Sequence, residues 1–138
     1  MKIAIILNDP AIKSRLEKIS ESLKWELFFF HNSTEFGFID LSGYDVIIAD
    51  IALKPIDGRQ ILQSIKNKTS AELYLMGVGS FSNSDVSNDY IKGLINKDEL
   101  EKDFVDKITY AKIKKRLQSY SESPIVTDTV LLYWANQQ

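Results

Sequence analysis

The stretch that decides the fold covers residues 44–66 and reads YDVIIADIALKPIDGRQILQSIK. Its first part is a nearly continuous apolar run that ends on Asp50, which is typical of a strand covered on both faces of a sheet. Turn-forming residues follow, and the spacing of Ile61, Leu62 and Ile65 gives the next segment one apolar helical face. The stretch therefore predicts a buried strand, a loop and an amphipathic helix, with Asp50 at the end of the strand.

Strand and helix signals alternate about five times along the rest of the chain. The predicted strands cover residues 3–7, 25–30, 44–49, 73–78 and 93–95, and a long last helix begins near residue 98. A short helix is also predicted at residues 85–91. This alternation favours an α/β fold with a mainly parallel sheet, right-handed crossovers and helices on both faces.

The first two helices carry start signals. Asp9 followed by Pro10 is typical of a helix N-cap and first position, so the first helix is expected to begin directly after the first strand. Ser33 is expected to cap a short helix that runs to Ser42 and Gly43.

Composition narrows the classes of function. A chain of 138 residues is the size of one globular domain, and its net charge of −2 argues against nucleic-acid binding by this segment alone. Cysteine is absent and His31 is the only histidine, which excludes disulfide scaffolds, thiol catalysis, Cys/His zinc sites and histidine-dependent triads. The apolar run at the start is too short for a signal peptide or a membrane span, so a cytoplasmic protein without a membrane partner is expected.

Two carboxylates are expected to meet at one edge of the sheet. Asp9 and Asp50 follow strands one and three, and the carboxyl ends of parallel strands form the ligand-binding edge of open α/β sheets. If the two strands are neighbours, the carboxylates repel each other unless a proton or a cation lies between them. Mg²⁺ prefers such oxygen ligands, and Lys97 after strand five could add a positive charge.

Three separated motifs resemble those of response-regulator receiver domains. The stretch at residues 44–66 is similar to the family's strand, loop and helix around the phosphoacceptor, ILNDPAIKSRL to its first strand and acidic turn, and GLINKDEL to its last strand and lysine. The resemblance implies the flavodoxin-like receiver fold, with five parallel strands in the order 2-1-3-4-5. It covers residues 2 to about 118, so residues 1–118 are predicted as the receiver domain and residues 119–138 as a linker or a C-terminal tail truncated from a longer protein.

The resemblance also implies roles for individual residues. Asp50 would accept the phosphoryl group, Lys97 would pair with the phosphoryl oxygens, and Asp9, Asp50 and the backbone carbonyl of Ala52 would bind Mg²⁺. A hydroxyl at the end of strand four would complete the site. Ser80 lies 80 − 50 = 30 residues after Asp50, which is the family's ungapped spacing, whereas alignment by strands places Val78 there.

The pattern departs from the family at several positions. Asn8 replaces an acidic residue that acts on the cation through water, so Asn8 is expected to be a weak outer-sphere ligand. Lys97 is followed by Asp98 where a proline is usual, and Leu94 takes the place of an aromatic residue associated with activation.

Two hypotheses of function follow from the resemblance. The first is a phosphoprotein of a two-component system that takes a phosphoryl group from a sensor histidine kinase or a phosphotransfer protein onto Asp50. Such a receiver is not an enzyme beyond slow self-phosphorylation from small donors and autodephosphorylation, and phosphorylation would switch a protein-protein interaction surface. The alternative is a degenerate receiver that acts as a phosphorylation-independent dimerisation or interaction module, as the N-terminal part of a transcriptional regulator. A homodimer through the face between strand four and the last helix is considered for either.

Flavin or nucleotide binding by the same layered architecture is disfavoured. The turn Asn8-Asp9-Pro10 is negative and lacks glycine, whereas phosphate binding needs open backbone N–H groups at this position.

Overall fold

The computed structural model describes residues 1–36, 40–78 and 90–120. The strands are β1 (Lys2–Ile6), β2 (Glu26–Phe30), β3 (Val46–Asp50), β4 (Glu72–Gly77) and β5 (Ile91–Asn96). The helices are α1 (Pro10–Leu23), α2 (Ser33–Phe36), α3 (Gly58–Ile65) and α4 (Leu100–Tyr120), with short 3-10 turns at Leu41–Gly43 and Lys97–Glu99. Each of the five predicted strands is present, with its ends within two residues of the prediction.

The five strands form one sheet in which every neighbouring pair is parallel. Their order is β2-β1-β3-β4-β5, so the predicted fold class and strand order are confirmed. Because β1 and β3 are neighbours, the residues that follow them leave the sheet side by side at its carboxyl edge. This is the arrangement that brings Asp9 and Asp50 to one place.

The continuous apolar runs are explained by burial on both faces of the sheet. All five residues of β3 are buried, and alternate residues of β1 and β3 contribute to two separate hydrophobic cores. One core lies under α1 and α4, and the other lies under α2 and α3. Strand β2 is at the edge of the sheet, where Phe28 is 37% exposed.

Helix α1 begins as its sequence predicts. The Oδ1 atom of Asp9 accepts hydrogen bonds from the N–H groups of Ala11 (3.1 Å) and Ile12 (3.3 Å), and Pro10 is the first helical residue. The helix ends at Leu23, and its C-cap Lys24, with a φ of 58°, turns the chain directly into the buried Trp25. Asp9 is thereby held at a fixed place beyond the end of β1.

The predicted start of the second helix was wrong by one residue. Asn32, not Ser33, is the cap: its Oδ1 atom accepts the N–H of Glu35 at 2.9 Å, while the Glu35 side chain accepts the N–H of His31 at 2.7 Å. These two bonds give the N–H groups of His31 and Glu35 hydrogen-bond acceptors. Asparagine is at least as good an N-cap as serine. Helix α2 is described over Ser33–Phe36, residues 37–39 of the predicted helix lie outside the described residues, and Asp40 caps the 3-10 turn at Leu41–Gly43.

Other predictions fall partly or wholly outside the described residues. The short helix predicted at residues 85–91 is one of them, because residues 85–89 are not described. Its last residue, Ile91, is the first residue of β5. Helix α4 continues to Tyr120, two residues beyond the predicted end of the domain at 118, and residues 121–138 of the tail are not described. In the described ranges, no helix is both long and apolar enough to span a bilayer.

An exposed ion pair joins α1 to α4. The guanidinium of Arg15 donates two hydrogen bonds of 2.8 Å to the two carboxylate oxygens of Glu101. The hydrogen bonds from Arg15 lower the pKa of Glu101 from its ordinary 4.5 to about 2. The ionised form of the Glu101 carboxyl group is therefore more stable in the folded chain than in the unfolded chain.

This pair predicts a pH dependence of stability. Because the pKa of Glu101 is depressed on folding, its contribution is present above pH 4.5 and is lost as the pH falls toward 2. The stability difference between wild type and Glu101→Gln, measured by urea unfolding, is expected to shrink over this window. The control Glu21→Gln also removes one exposed carboxylate, from the surface of α1, and the trend for Glu101→Gln is measured relative to it. A constant difference for Glu101→Gln from pH 5 to 2.5 would contradict the assignment.

Candidate functional site

A polar hollow lies at the carboxyl edge of the sheet, above the ends of β1, β3 and β5. Its volume is about 290 Å³, and its lining consists of Asn8, Asp9, Asp50, Ala52, Leu53, Lys54 and Lys97. These residues come from three places in the chain that are far apart in sequence. The parallel strand order is what brings them together.

Asp50 is a buried carboxylate with a partner on each oxygen. It is 4% exposed, its Oδ2 atom lies 2.5 Å from the Nζ atom of Lys97, and its Oδ1 atom accepts the N–H of Ala52 at 3.0 Å. The backbone is held as well, because the N–H of Ile51 donates to the carbonyl of Met76 on β4. A buried charge needs such compensation, and here the ammonium of Lys97 provides it.

Lys97 is positioned by the turn in which β5 ends. The Oδ1 atom of Asn96 accepts the N–H of Asp98 at 2.9 Å and caps the 3-10 turn. The N–H of Asn96 itself donates to the Oδ2 atom of Asp103 on α4, at 3.0 Å. Both bonds fix the backbone next to Lys97, whose side chain is only 11% exposed and extends toward Asp50.

Gly58 allows α3 to begin directly against the backbone of Asp50. A Cβ atom at residue 58 would lie 2.6 Å from the carbonyl oxygen of Asp50 and 2.9 Å from that of Ala49. The preceding residue, Asp57, caps α3, with its side chain accepting the N–H of Gln60 while the Gln60 side chain accepts the N–H of Asp57. The Asp57-Gly58 pair thus sets the end of the loop that surrounds the hollow.

The structure brings together most of the residues predicted for the site. Asn8, Asp9, Asp50, Ala52 and Lys97 all line the one hollow. Their chemical roles remain predictions.

The predicted hydroxyl at the end of strand four is not placed by the structure. Ser80 lies outside the described residues. Val78 follows β4 directly, is 65% exposed, carries no hydroxyl and does not line the hollow. The choice of Ser80 for this role therefore also stays a prediction.

Two further residues, Leu53 and Lys54, line the hollow and were not predicted from the sequence. Leu53 is buried, and its N–H donates to the carbonyl of Asp50, which tightens the turn after β3. Lys54 follows it on the exposed part of the loop. A signal for Lys54 was present, because a lysine only four residues after a strand-end carboxylate lies within reach of the same edge.

Comparison with solved structures identifies the class of fold. No protein-family model and no curated protein matches this chain. Solved structures do match. A response regulator receiver domain protein from Clostridium thermocellum is 22% identical, with a TM-score of 0.73 over 85% of this chain and 98% of that one. The chain has the fold of a response-regulator receiver domain.

Further structures support this receiver fold. A two-component response regulator from Clostridium difficile is 24% identical, with a TM-score of 0.67 over 88% of this chain and 99% of that one. A CheY-like receiver domain protein from Methanospirillum hungatei is 20% identical, with a TM-score of 0.67 over 78% of this chain and 90% of that one. The extent of these structural superpositions establishes the receiver fold, while identities below 25% do not assign roles to individual residues of the hollow.

The oxygen atoms of the hollow fit a hard divalent cation. Asp9 uses its Oδ1 atom as a helix cap, which leaves Oδ2 for a ligand. Asp50 and Ala52 line the same hollow and would add a carboxylate and a backbone carbonyl oxygen. Mg²⁺ commonly takes one or two carboxylates and completes its shell with water. Among residues 1–36, 40–78 and 90–120, however, no group of three or more acidic or histidine side chains is arranged for a metal. Any cation bound here would therefore keep much of its water.

The helix-cap role of Asp9 and its predicted role as an Mg²⁺ ligand can be separated by two substitutions. Asp9→Ala removes the cap and the charge, and is expected to lower the free energy of unfolding by about 1 kcal/mol. Asp9→Asn keeps a good cap, so its stability should stay within about 0.5 kcal/mol of wild type. Both should weaken Mg²⁺ binding at least about ten-fold in titration calorimetry.

The matched control for these variants is Asp40→Asn. Asp40 caps the 3-10 turn at Leu41–Gly43 and does not line the hollow, so its substitution should leave Mg²⁺ affinity unchanged. Wild-type Mg²⁺ affinity in Asp9→Asn would show that Asp9 is a cap and not a ligand.

Proposed function

We propose that this receiver domain accepts a phosphoryl group on Asp50 from a phosphohistidine of a sensor histidine kinase or a phosphotransfer protein. It is a phosphoacceptor rather than an enzyme that turns over a separate substrate. The observation that carries the proposal is the contact between Asp50 and Lys97 in a hollow that also contains Asp9. A buried carboxylate at the end of the central strand is thus held by an ammonium and lines the hollow that a phosphodonor would enter.

The proposed transfer is a single displacement at phosphorus. A carboxylate oxygen of Asp50 forms a bond to phosphorus while the bond from phosphorus to the donor's histidine nitrogen breaks. The histidine ring carries a proton on its other nitrogen, so it keeps the electron pair of the broken bond and leaves as a neutral imidazole. Slow hydrolysis later returns Asp50 to the carboxylate, when water attacks the phosphorus and inorganic phosphate leaves. Such transfers depend on positioning and charge neutralisation more than on covalent assistance.

Each residue of the hollow has a task in this proposal. The hydrogen bond from Ala52 and the ammonium of Lys97 hold Asp50 in place, and Lys97 then neutralises charge on the transferred group. Asp9, Asp50 and the carbonyl of Ala52 would hold Mg²⁺, with Asn8 acting through water, and the cation would supply positive charge to the phosphoryl oxygens. We assign the hydroxyl contact to Ser80.

Phosphorylation would act on partner binding through charge. A phosphoryl group adds about −1.5 to −2 charges beside Lys97, which favours a rearrangement of the surrounding loops. We propose the face between β4 and α4 as the responding surface and as the contact of a homodimer. We further propose that the protein is cytoplasmic and that this segment alone does not bind nucleic acid.

A specific observation also favours a second function. In the described structure Lys97 already neutralises Asp50, and the hollow contains Asn8 in place of a further acidic residue. Lys97 thus offsets the charge of Asp50 without requiring a cation or a phosphoryl group. A receiver that binds partners or a second copy without phosphorylation is the alternative function.

One experiment separates the two functions. The protein is incubated with Mg²⁺ and acetyl phosphate, and its intact mass is measured. Phosphoacceptance predicts one added phosphoryl mass on wild type and none on Asp50→Asn. The control Asp106→Asn removes an exposed carboxylate of α4 and should be phosphorylated like wild type. No adduct on wild type would exclude phosphoacceptance from a small donor and favour the interaction module.

A further inference from the structure

Lys54 is a second cationic residue in the hollow, and it has no role in the phosphoryl transfer proposed above. It lies in the loop after β3, is exposed, and lines the same hollow as Asp50 and Lys97. Within residues 1–36, 40–78 and 90–120 it makes no ion pair or side-chain hydrogen bond. Its ammonium is therefore available to a ligand of the hollow.

The four charged residues of the hollow balance. Asp9 and Asp50 contribute −2, and Lys54 and Lys97 contribute +2, so the formal sum is zero. Asn8 adds no charge. A hollow with this balance attracts a divalent cation less than one that contains the two carboxylates and a single lysine, because Coulomb energies depend on the sum of nearby charges.

An added phosphoryl group shifts this balance. It brings about −1.5 to −2 charges to a place where Lys97 already faces Asp50. Lysine is a compact charge on a flexible four-carbon stem, so Lys54 can follow a new anion at the mouth of the hollow. Its ammonium can then offset charge that would otherwise require a bound cation.

We propose that Lys54 is a second cationic contact for the phosphoryl group on Asp50 and makes phosphorylation less dependent on a divalent cation. The proposal rests on the phosphoacceptor function and adds to it. Lys54 acts on two states in opposite ways: it repels Mg²⁺ from the unmodified hollow and stabilises the phosphoryl group once that group is present.

The test compares Lys54→Gln with wild type in two measurements. Mg²⁺ affinity is measured by calorimetry, and phosphorylation by acetyl phosphate is followed with saturating Mg²⁺ and with chelator. Lys54→Gln is expected to bind Mg²⁺ about three- to five-fold more tightly, since one repelling charge is removed at a solvent-exposed site. Its phosphorylation rate in chelator should fall about five- to ten-fold relative to wild type, and its rate in saturating Mg²⁺ should fall less.

Two control variants accompany this comparison. Lys18→Gln removes an exposed lysine of α1 that does not line the hollow and should match wild type in both measurements. Lys54→Arg keeps the charge and should restore most of the rate in chelator. High salt should reduce the difference between wild type and Lys54→Gln, because exposed charges are screened.

The outcomes separate this proposal from the function on which it rests. No adduct on wild type at saturating Mg²⁺ would overturn the phosphoacceptor function and, with it, the role of Lys54. An adduct on wild type, with Lys54→Gln unchanged in Mg²⁺ affinity and in rate, would overturn the role of Lys54 alone. Tighter Mg²⁺ binding without a slower reaction in chelator would also overturn it, because Lys54 would then repel cations without contacting the phosphoryl group.

Discussion

Gly58→Ala is expected to destabilise the fold by about 2–3 kcal/mol and to distort the hollow around Asp50. The new Cβ atom would lie 2.6 Å from the carbonyl oxygen and 2.7 Å from the carbonyl carbon of Asp50. Both are backbone atoms of the central strand, so they cannot move aside as the end of a flexible side chain can. Either α3 or the strand end must shift, and the Asp50 carboxylate shifts with the strand end.

The measurement is urea unfolding followed by circular dichroism, together with phosphorylation by acetyl phosphate. Gly43→Ala is the matched control, since its added Cβ would have no atom within 4 Å, and it should be nearly neutral. If the two alanine variants proved equally stable, the close approach of α3 to Asp50 would not be a constraint on the fold.

Phe104→Ala is expected to have the larger effect on stability, a loss of about 3–5 kcal/mol. Phe104 is fully buried in α4 and packs edge-on against Trp25, with ring centroids 5.7 Å apart. Truncation would leave a cavity between α4 and the sheet. The same helix carries Asp103, which holds the backbone of Asn96 beside Lys97, so the site should loosen as well.

Tyr110→Ala on the same helix is the control for this effect. Tyr110 is 47% exposed, and its loss is expected to cost less than about 1 kcal/mol. Comparison of the two variants by urea unfolding isolates burial from helix propensity, because both replace an aromatic residue of α4 by alanine. A loss below 1 kcal/mol for Phe104→Ala would contradict the packing of α4 described above.

The sequence contained enough to predict the sheet, because its strands are buried on both faces and read as continuous apolar runs. Strand β5 was the weakest signal, since Lys92 and Gly93 interrupt its apolar residues. The structure explains the glycine: a Cβ at residue 93 would lie 3.2 Å from the ring of Tyr74 on β4. Packing between neighbouring strands thus favours a glycine at residue 93, although glycine has a low propensity for β-strands.

The site was predictable only as far as strand order determines it. Asp9, Asp50 and Lys97 follow strand ends, so parallel pairing brings them to one edge whatever the loops do. Lys54 and the close approach of Gly58 depend on the path of a loop, which the local pattern does not define. The cap at Asn32 was missed for a related reason, since adjacent asparagine and serine both favour a helix start and only the hydrogen bonds distinguish them.

The central claim is that Asp50 itself carries the phosphoryl group. Its most direct test is to phosphorylate the wild-type protein with acetyl phosphate and Mg²⁺ and reduce the product with borohydride, which converts an acyl phosphate to an alcohol. The protein is then digested, and its peptides are mapped by mass. We expect homoserine at position 50 and unmodified aspartate at Asp9 and Asp57. Homoserine at another position, or none at position 50 in protein that carries the phosphoryl mass, would contradict it.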